Sequence, residues 1–259
     1  MRNVLTIMKR ELAAYFVSPM AYVIVTLFLF IVGWFFFRGL VLAYSFYSMQ
    51  AMQNPMMAAQ INIHDIVVRN FYSNFAVLMM FVAPFLSMRI LAEERRQGTS
   101  ELLLTMPITT GQLVLGKYLG VLAFGALILA LTFQYPLYLS LMGAPPAWGP
   151  LGAVYLGSLL VVGAFLAVGL VASSLTSNQI IAAVTTFILC LVFWMIGFLG
   201  EVGGGGGPYS ELLKSLSINN HLEDFLKGVV DSGSVVFFLM FISFALFLTQ
   251  RVVDSSRWR

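Results

Sequence analysis

Six long apolar runs dictate what this chain can become. They lie at about 18–42, 72–91, 111–142, 150–174, 178–200 and 234–250. A helix needs roughly 20 apolar residues to cross a hydrocarbon core of about 30 Å. The last run is short but apolar throughout from Val235 to Leu248, and the third is long enough to tilt, to kink at Pro136 or to extend past the membrane surface. Charged residues make up 10% of the 259-residue chain, against about 25% in an ordinary soluble domain. No polar stretch is long enough to cover a soluble domain. The expected fold is all-α and integral to a membrane, with six transmembrane helices.

The first run resembles a signal peptide only superficially. It is preceded by Arg2, Lys9, Arg10 and Glu11, exceeds a signal h-region in length, and leaves through Trp34, Phe35, Phe36, Phe37 and Arg38 without a small-x-small cleavage site. It is expected to stay as the first span. With the N-terminus inside, the inner cations are Arg2, Lys9, Arg10, Arg89, Arg95, Arg96, Lys117, Arg251, Arg257 and Arg259. The outer ones are Arg38, Arg69, Lys214 and Lys227, so the balance of ten to four places both termini in the cytoplasm. These basic residues sit in short clusters between apolar runs, and the net charge of +3 therefore gives no argument for nucleic acid. Cys190 is alone inside an apolar run, which leaves no internal disulfide and no thiol metal cluster.

Residues 1–17 predict an interfacial helix. Val4, Leu5, Met8, Leu12, Tyr15 and Phe16 share one arc, and Arg2, Asn3, Thr6, Lys9 and Arg10 share the opposite one. Such a helix lies in the headgroup plane with its basic face toward water and lipid phosphate. Ser18-Pro19 ends it, because proline disfavours helix at the residue before it. Two outer connections are longer than tight turns. Residues 43–71 are rich in Met, Gln and Asn, with Pro55 and the pair His64 and Asp65; residues 201–233 open with Gly203 to Gly207 and Pro208. An apolar pattern of Leu212, Leu213, Leu216, Leu222, Phe225, Leu226 and Val229 follows, which predicts short helices at the outer mouth.

The loop between the second and third runs is the most informative. Gly98 breaks the helix continuing from the second span, Thr99 can cap a new one, and Glu101 in its first turn suits the helix dipole. Leu102, Leu103 and Leu104 give that helix an apolar side, Pro107 begins its termination, and Thr109 or Thr110 can cap the third span. Three consecutive leucines in a loop need a partner surface, so residues 92–107 are expected to dock another protein.

The stretch Glu-Glu-Arg-Arg-Gln-Gly-Thr-Ser-Glu-Leu-Leu-Leu-Thr-Met-Pro-Ile at 93–108 resembles the coupling-helix segment of ABC-2 type transporter permeases. Lys9-Arg10-Glu11, Tyr15-Phe16, Ser18-Pro19 and Ala21-Tyr22 are similar to the start of one branch, which includes permeases associated with gliding motility and with copper maturation of nitrous oxide reductase. His221 to Asp231 is similar to that branch's last outer loop. The resemblance implies one transmembrane domain over 1–259, in a bacterial cytoplasmic membrane, paired with a second permease, identical or related. It implies docking of two copies of an ATP-binding subunit through Glu94, Arg95, Gly98, Thr99, Glu101 and Leu102. ATP and magnesium would belong to that subunit, with no cofactor on this chain. The implied activity is export of an unidentified substrate; the alternative is an ATP-driven mechanotransmission or scaffold subunit that moves a periplasmic partner without passing cargo.

Other features were weighed for chemistry. Gly111-Gln-Leu-Val-Leu-Gly116-Lys117-Tyr118 nearly matches a P-loop, but Tyr118 stands where a magnesium-binding hydroxyl is needed and no strand precedes it. Gly116 and Gly120 instead form a small-xxx-small pair for close helix packing. His64 and His221 read as solvated outer-loop residues rather than metal ligands. Polar groups in the runs are few: Thr26, Ser87, Thr132, Gln134, Thr185 and Thr186. Gln134, Thr185 and Thr186 are candidates to line a conduit, although Gln134 can equally bond a helix carbonyl freed by Pro136. Without a histidine or carboxylate at membrane depth, the sequence supports neither an intramembrane enzyme nor a proton relay, and it suggests a bundle without buried charge.

Overall fold

A computed structural model describes residues 2–53, 64–98, 108–143, 146–202 and 208–255. Among these residues the chain is helical with no strand, and six helical stretches are long and apolar enough to cross a membrane: Pro19–Ser45, Val67–Arg96, Thr110–Leu141, Trp148–Leu175, Gln179–Gly200 and Ser232–Ser255. An even number of crossings returns both ends to one face. Gln250 near the C-terminus accordingly lies beside Gly111 at the start of the third crossing.

The elements are α1 (Arg2–Val17), α2 (Pro19–Gln53), a π-helical turn (His64–Arg69), α3 (Asn70–Ser87) and α4 (Arg89–Arg96). They continue with α5 (Thr110–Leu131), α6 (Gln134–Leu141), α7 (Trp148–Leu175), α8 (Gln179–Val202), α9 (Pro208–Ser215), α10 (Ile218–Leu226) and α11 (Ser232–Ser255). The bundle is layered around α7, which packs on α3, α4, α5, α8, α10 and α11. The second, third and fourth spans are 61%, 61% and 72% buried, whereas the first, fifth and sixth are 22% buried and form the rim. Lipid tails are as apolar as leucine, so these helices gain by close packing rather than by hydrophobic burial. The sequence of α7 suits its place, because Gly157, Gly163 and Gly169 let Phe225, Tyr118 and Ser87 approach its backbone.

The helix α2 runs 35 residues, roughly 50 Å; its apolar crossing ends at Ser45, near the expected 42, and the helix continues beyond it to Gln53. Residues 43–53 contain neither Gly nor Pro, and alanine, methionine and glutamine sustain a helix once it has started. The second crossing also starts earlier, at Val67.

Two spans are bent, each for an identifiable reason. In the third, the regular helix stops at Thr132 and Phe133, one turn before Pro136. A proline ring strikes the carbonyl four residues back, here that of Thr132. The Thr132 hydroxyl, fully buried, donates to the Leu129 carbonyl at 2.6 Å and meets Tyr72 and Tyr155 hydroxyls at 3.4 Å each. In the second span the break falls at Met88. The Ser87 hydroxyl turns back to the Ala83 carbonyl at 2.8 Å, a bond that bends helices, and Ser87 packs directly on Gly169. One turn along α7, the Ser173 hydroxyl accepts from the N–H groups of Leu91 and Ala92 at 3.0 Å and donates to the Met88 carbonyl at 3.0 Å. The break is thereby plugged by one side chain.

At the opposite end, Ser217 caps α10 by accepting from the Asn220 N–H at 3.4 Å. Ile218, Leu222, Phe225 and Leu226 are buried, but Leu212, Leu216 and Val229 are exposed. The apolar pattern spanning 212–229 is therefore divided between two short helices, and the α10 face is buried. His221 departs from the expected solvated-loop role. Its Nε2 faces the Ser215 carbonyl at 3.0 Å, its Nδ1 meets the Ser234 hydroxyl at 3.0 Å, and its ring stacks on Phe237 with centroids 4.0 Å apart. Opposite a carbonyl Nε2 is the donor, and Nδ1 pairs with the Ser234 hydroxyl, which can act as either donor or acceptor. The His64 side chain is outside the described residues. Among those residues no group of three metal-ligating side chains comes together.

Candidate functional site

The polar residues concentrate where α1, α4 and α5 meet on the face that carries both termini. The meeting is possible because α5 presents Gly116 and Gly120 one turn apart. A Cβ at Gly116 would stand 2.7 Å from the Ile7 Cβ, and one at Gly120 would stand 2.6 Å from the Glu11 Cβ. The small-xxx-small pair is thus used, and its partner is the N-terminal amphipathic helix. The contact also sets which side of α1 meets the bundle. Val4, Ile7, Met8 and Glu11 face α5 or its approach, while Leu5 and Phe16 are exposed.

Glu11 is carried by that contact onto Lys117, whose side chain is 2% exposed. The Lys117 ammonium donates to Glu11 at 2.9 Å, to Glu94 at 2.7 Å and to the Ile90 carbonyl at 2.9 Å. An ammonium has three N–H donors, and all three have acceptors here. Arg10 lies 3.8 Å from Glu11 and 3.7 Å from Glu94. Two carboxylates and two cations make the cluster neutral, which is what a site with little water requires. The expectation of a bundle without buried charge is corrected accordingly: Lys117 is buried within the third crossing, paired across three helices.

A second layer lies beside it. The Tyr15 ring stacks on Phe124 with centroids 4.7 Å apart, and its hydroxyl donates to the Leu86 carbonyl at 2.6 Å. Burial pushes this phenol well above its ordinary range. The Arg89 guanidinium lies over the same ring, 4.7 Å from its centroid, and donates to the Ser18 hydroxyl at 3.3 Å. Residues from α1, the Ser18 junction, α3 and α4 are therefore tied together at the mouth of the second crossing.

Of the residues expected to dock a partner, Glu94 belongs to the Lys117 cluster and Arg95 is half-buried on the last turn of α4. Gly98 ends that helix with φ of +69°, a left-handed conformation that favours glycine, and its N–H donates to the Arg95 carbonyl at 3.3 Å. Thr99, Glu101 and Leu102 lie outside the described residues. Thr109 caps α5 by accepting from the Gln112 N–H at 3.3 Å. The conduit candidates fall on two helices: Gln134 is exposed at the start of α6, while on α8 Thr185 is half-buried and the buried Thr186 hydroxyl donates to the Ala182 carbonyl at 2.7 Å. The P-loop-like stretch is helical from Thr110 onward, and its lysine is the one held by Glu11 and Glu94.

Sequence reasoning missed Glu11, Lys117, Arg89 and Ser173 as site residues. Lys117 leaves a signal, being a cation more than one turn inside an apolar run. Glu11 left a weaker one as the sole acid of α1. Ser173 left none, because a serine in a glycine- and alanine-rich span reads as one more small residue.

Comparison with known proteins addresses the whole frame. The chain is 32% identical over 145 residues to the "Probable multidrug ABC transporter permease YbhR" of Escherichia coli (strain K12). The corresponding protein of Escherichia coli O157:H7 matches to the same extent. These alignments cover 50% of this chain and 38% of the relatives. A sequence model described as "ABC-2 family transporter protein" matches residues 5–205, which include α1, the first five crossings and the Lys117 cluster. The chain belongs to the ABC-2 family of transporter proteins.

Proposed function

We propose that this chain is the membrane-spanning permease subunit of an ATP-binding cassette exporter, working beside a second permease, identical or related. Two copies of a separate ATP-binding subunit supply the energy, and ATP and magnesium belong to them. Residues 92–107 receive that subunit, with Glu94, Arg95, Gly98, Thr99, Glu101 and Leu102 at the contact. The membrane is the bacterial inner membrane, and the face holding Lys117, Glu11 and Gln250 is cytoplasmic.

The observation that carries this reading is the Glu94–Lys117–Glu11 cluster at the base of the docking segment. A push on the end of α4 reaches the α1 helix and the third span through one buried ammonium held by both carboxylates. Through Ser173 the same helix is linked to α7, the centre of the bundle. Displacement at 92–107 thus has two short routes into the spans.

Coexpression with its ATP-binding subunit tests the docking. Glu101→Arg and Leu102→Asp should each lower co-purification of the subunit while the permease still inserts; full recovery with both variants removes the docking claim. Transport is tested with proteoliposomes and a panel of chemically varied drugs, following the multidrug designation of the relatives. ATP-dependent accumulation supports export. Vigorous ATP hydrolysis with no translocated compound supports mechanotransmission to a periplasmic partner instead.

A further inference from the structure

We infer that the cleft between α1 and α4 binds one phospholipid with a phosphoethanolamine headgroup, and that this lipid props the α1 helix against the docking segment. The cleft has a volume of about 330 Å3 and is bounded by Arg10, Tyr15, Arg89, Glu93 and Gln97, with the Lys117 cluster as its floor. That is within the range of roughly 300–1,000 Å3 typical of small-molecule sites. On the far side of Tyr15 and Arg89 a shallow groove of about 30 Å3 continues between Met20, Ala21, Ile24 and Phe85, a surface for a chain to lie against rather than a cavity that encloses one. Met20 is 61% and Phe85 53% exposed, so this groove opens toward the hydrocarbon. A polar cleft and an apolar groove that share two residues fit a ligand with a charged head and a chain.

The charges specify which head. Lys117 is engaged with Glu11 and Glu94, Arg10 stands 3.7–3.8 Å from the same carboxylates with its side chain 65% exposed at the cleft's edge, and the ion pairs among the described residues do not include Arg89 or Glu93. Arg89 uses a donor on Ser18 and lies over Tyr15, which leaves further N–H groups of its five to the cleft. Glu93 accepts from the Gln97 amide at 3.2 Å through one oxygen, and a carboxylate has lone pairs to spare. Arg89 and Glu93 are four residues apart on one helix, so they share a face about one turn apart. Arg89 is the deeper of the two, nearer the groove.

A phospholipid presents its phosphate beside the chains and its amine farther out, separated by two carbons. Phosphate on the guanidinium of Arg89 and ammonium on the carboxylate of Glu93 therefore match in both order and sign. A phosphatidylglycerol head offers no cation to Glu93. A choline head carries a cation without N–H donors, so it cannot hydrogen-bond to that carboxylate. The lipid would touch α1, α2 and α4 together, which are the elements that meet at Ser18.

The test uses the full chain alone, in detergent and then in nanodiscs, so its outcome is independent of any ATP-binding subunit. Native mass spectrometry after delipidation and re-addition of defined lipids should show one phosphatidylethanolamine per chain. Its retention should exceed that of phosphatidylglycerol and phosphatidylcholine by about tenfold, as one added charge-assisted hydrogen bond would give. Glu93→Gln should abolish the preference over phosphatidylglycerol while leaving the fold intact, and Arg89→Gln should lower retention of all three. Glycerophosphoethanolamine, the same head without chains, should not compete at equal concentration. Equal retention of the three lipids by the wild-type chain, an unchanged preference in Glu93→Gln, or full competition by the chainless head each overturns the proposal.

Discussion

The Lys117 ammonium and the Glu94 carboxylate meet at 2.7 Å, joining a helix in the third crossing to the end of the second. The same ammonium reaches Glu11 of the N-terminal helix at 2.9 Å. With the lysine 2% exposed and both carboxylates 16% exposed, the cluster exchanges little with water. Its strength lies in mutual dependence, since every member compensates the desolvation of another.

Removing one member should therefore cost more than removing all. Lys117→Met leaves two neighbouring carboxylates with only the more distant, largely exposed Arg10 for a cation, and breaking a buried pair costs about 3–5 kcal/mol. Thermal unfolding in detergent should show a clear drop for Lys117→Met. The triple variant Lys117→Met, Glu11→Gln, Glu94→Gln should recover most of it. A triple variant as unstable as the single one would assign the loss to packing rather than charge.

The seating of α1 depends on two glycines. Gly116→Ala and Gly120→Ala each place a methyl within 2.7 Å and 2.6 Å of Ile7 and Glu11, and such overpacking costs roughly 1–3 kcal/mol. Limited trypsin digestion should then cleave after Lys9 or Arg10 faster than in the parent chain. Gly111→Ala is the control, because its nearest neighbour is Gln250 Oε1 at 3.6 Å; its digestion pattern should not change.

Ser173 holds the bent second crossing through three hydrogen bonds. In Ser173→Ala the N–H groups of Leu91 and Ala92 and the carbonyl of Met88 lose this partner. Leaving buried groups unsatisfied costs about 1–3 kcal/mol each. Hydrogen exchange should accelerate at Leu91 and Ala92 relative to amides in the middle of α7. Unchanged exchange there would mean the bend is held by Ser87 and Gly169 alone.

At the opposite end the ion pairs should matter less than the packing. Arg69 and Glu223 meet at 2.8 Å but are 37% and 47% exposed, and such a pair contributes about 0–1 kcal/mol. Glu223→Gln should shift thermal unfolding slightly and lose its effect in high salt. Phe225→Ala should shift it far more, since this ring is fully buried against Gly157 and Phe→Ala in a core costs about 3–5 kcal/mol.

The apolar runs made six crossings legible, because the length of such a run is a local property that any bilayer reads the same way. The helix breaks were partly legible. Gly98 left its mark as a glycine between two helical patterns, and Pro136 announced a kink that falls one turn earlier at Thr132. Ser87 and Met88 gave no comparable warning, since their break is set by contacts with α7. The first crossing ends at Ser45, close to the end of its apolar run, but the helix runs on to Gln53, an extension that hydropathy does not register.

By itself the sequence determined an all-helical membrane bundle, an amphipathic N-terminal segment ending at Pro19, and a small-residue pair in the third crossing. Each follows from residues close together in the chain. Only the tertiary structure decided that Gly116 and Gly120 receive α1, that this contact turns Glu11 inward, and that Lys117 is thereby a buried ion-pair partner rather than a surface charge. Those partners are 106 and 23 positions away from Lys117, and hydropathy carries no record of which distant carboxylate a lysine will find. The close approach of two helices at a glycine pair supplies that information.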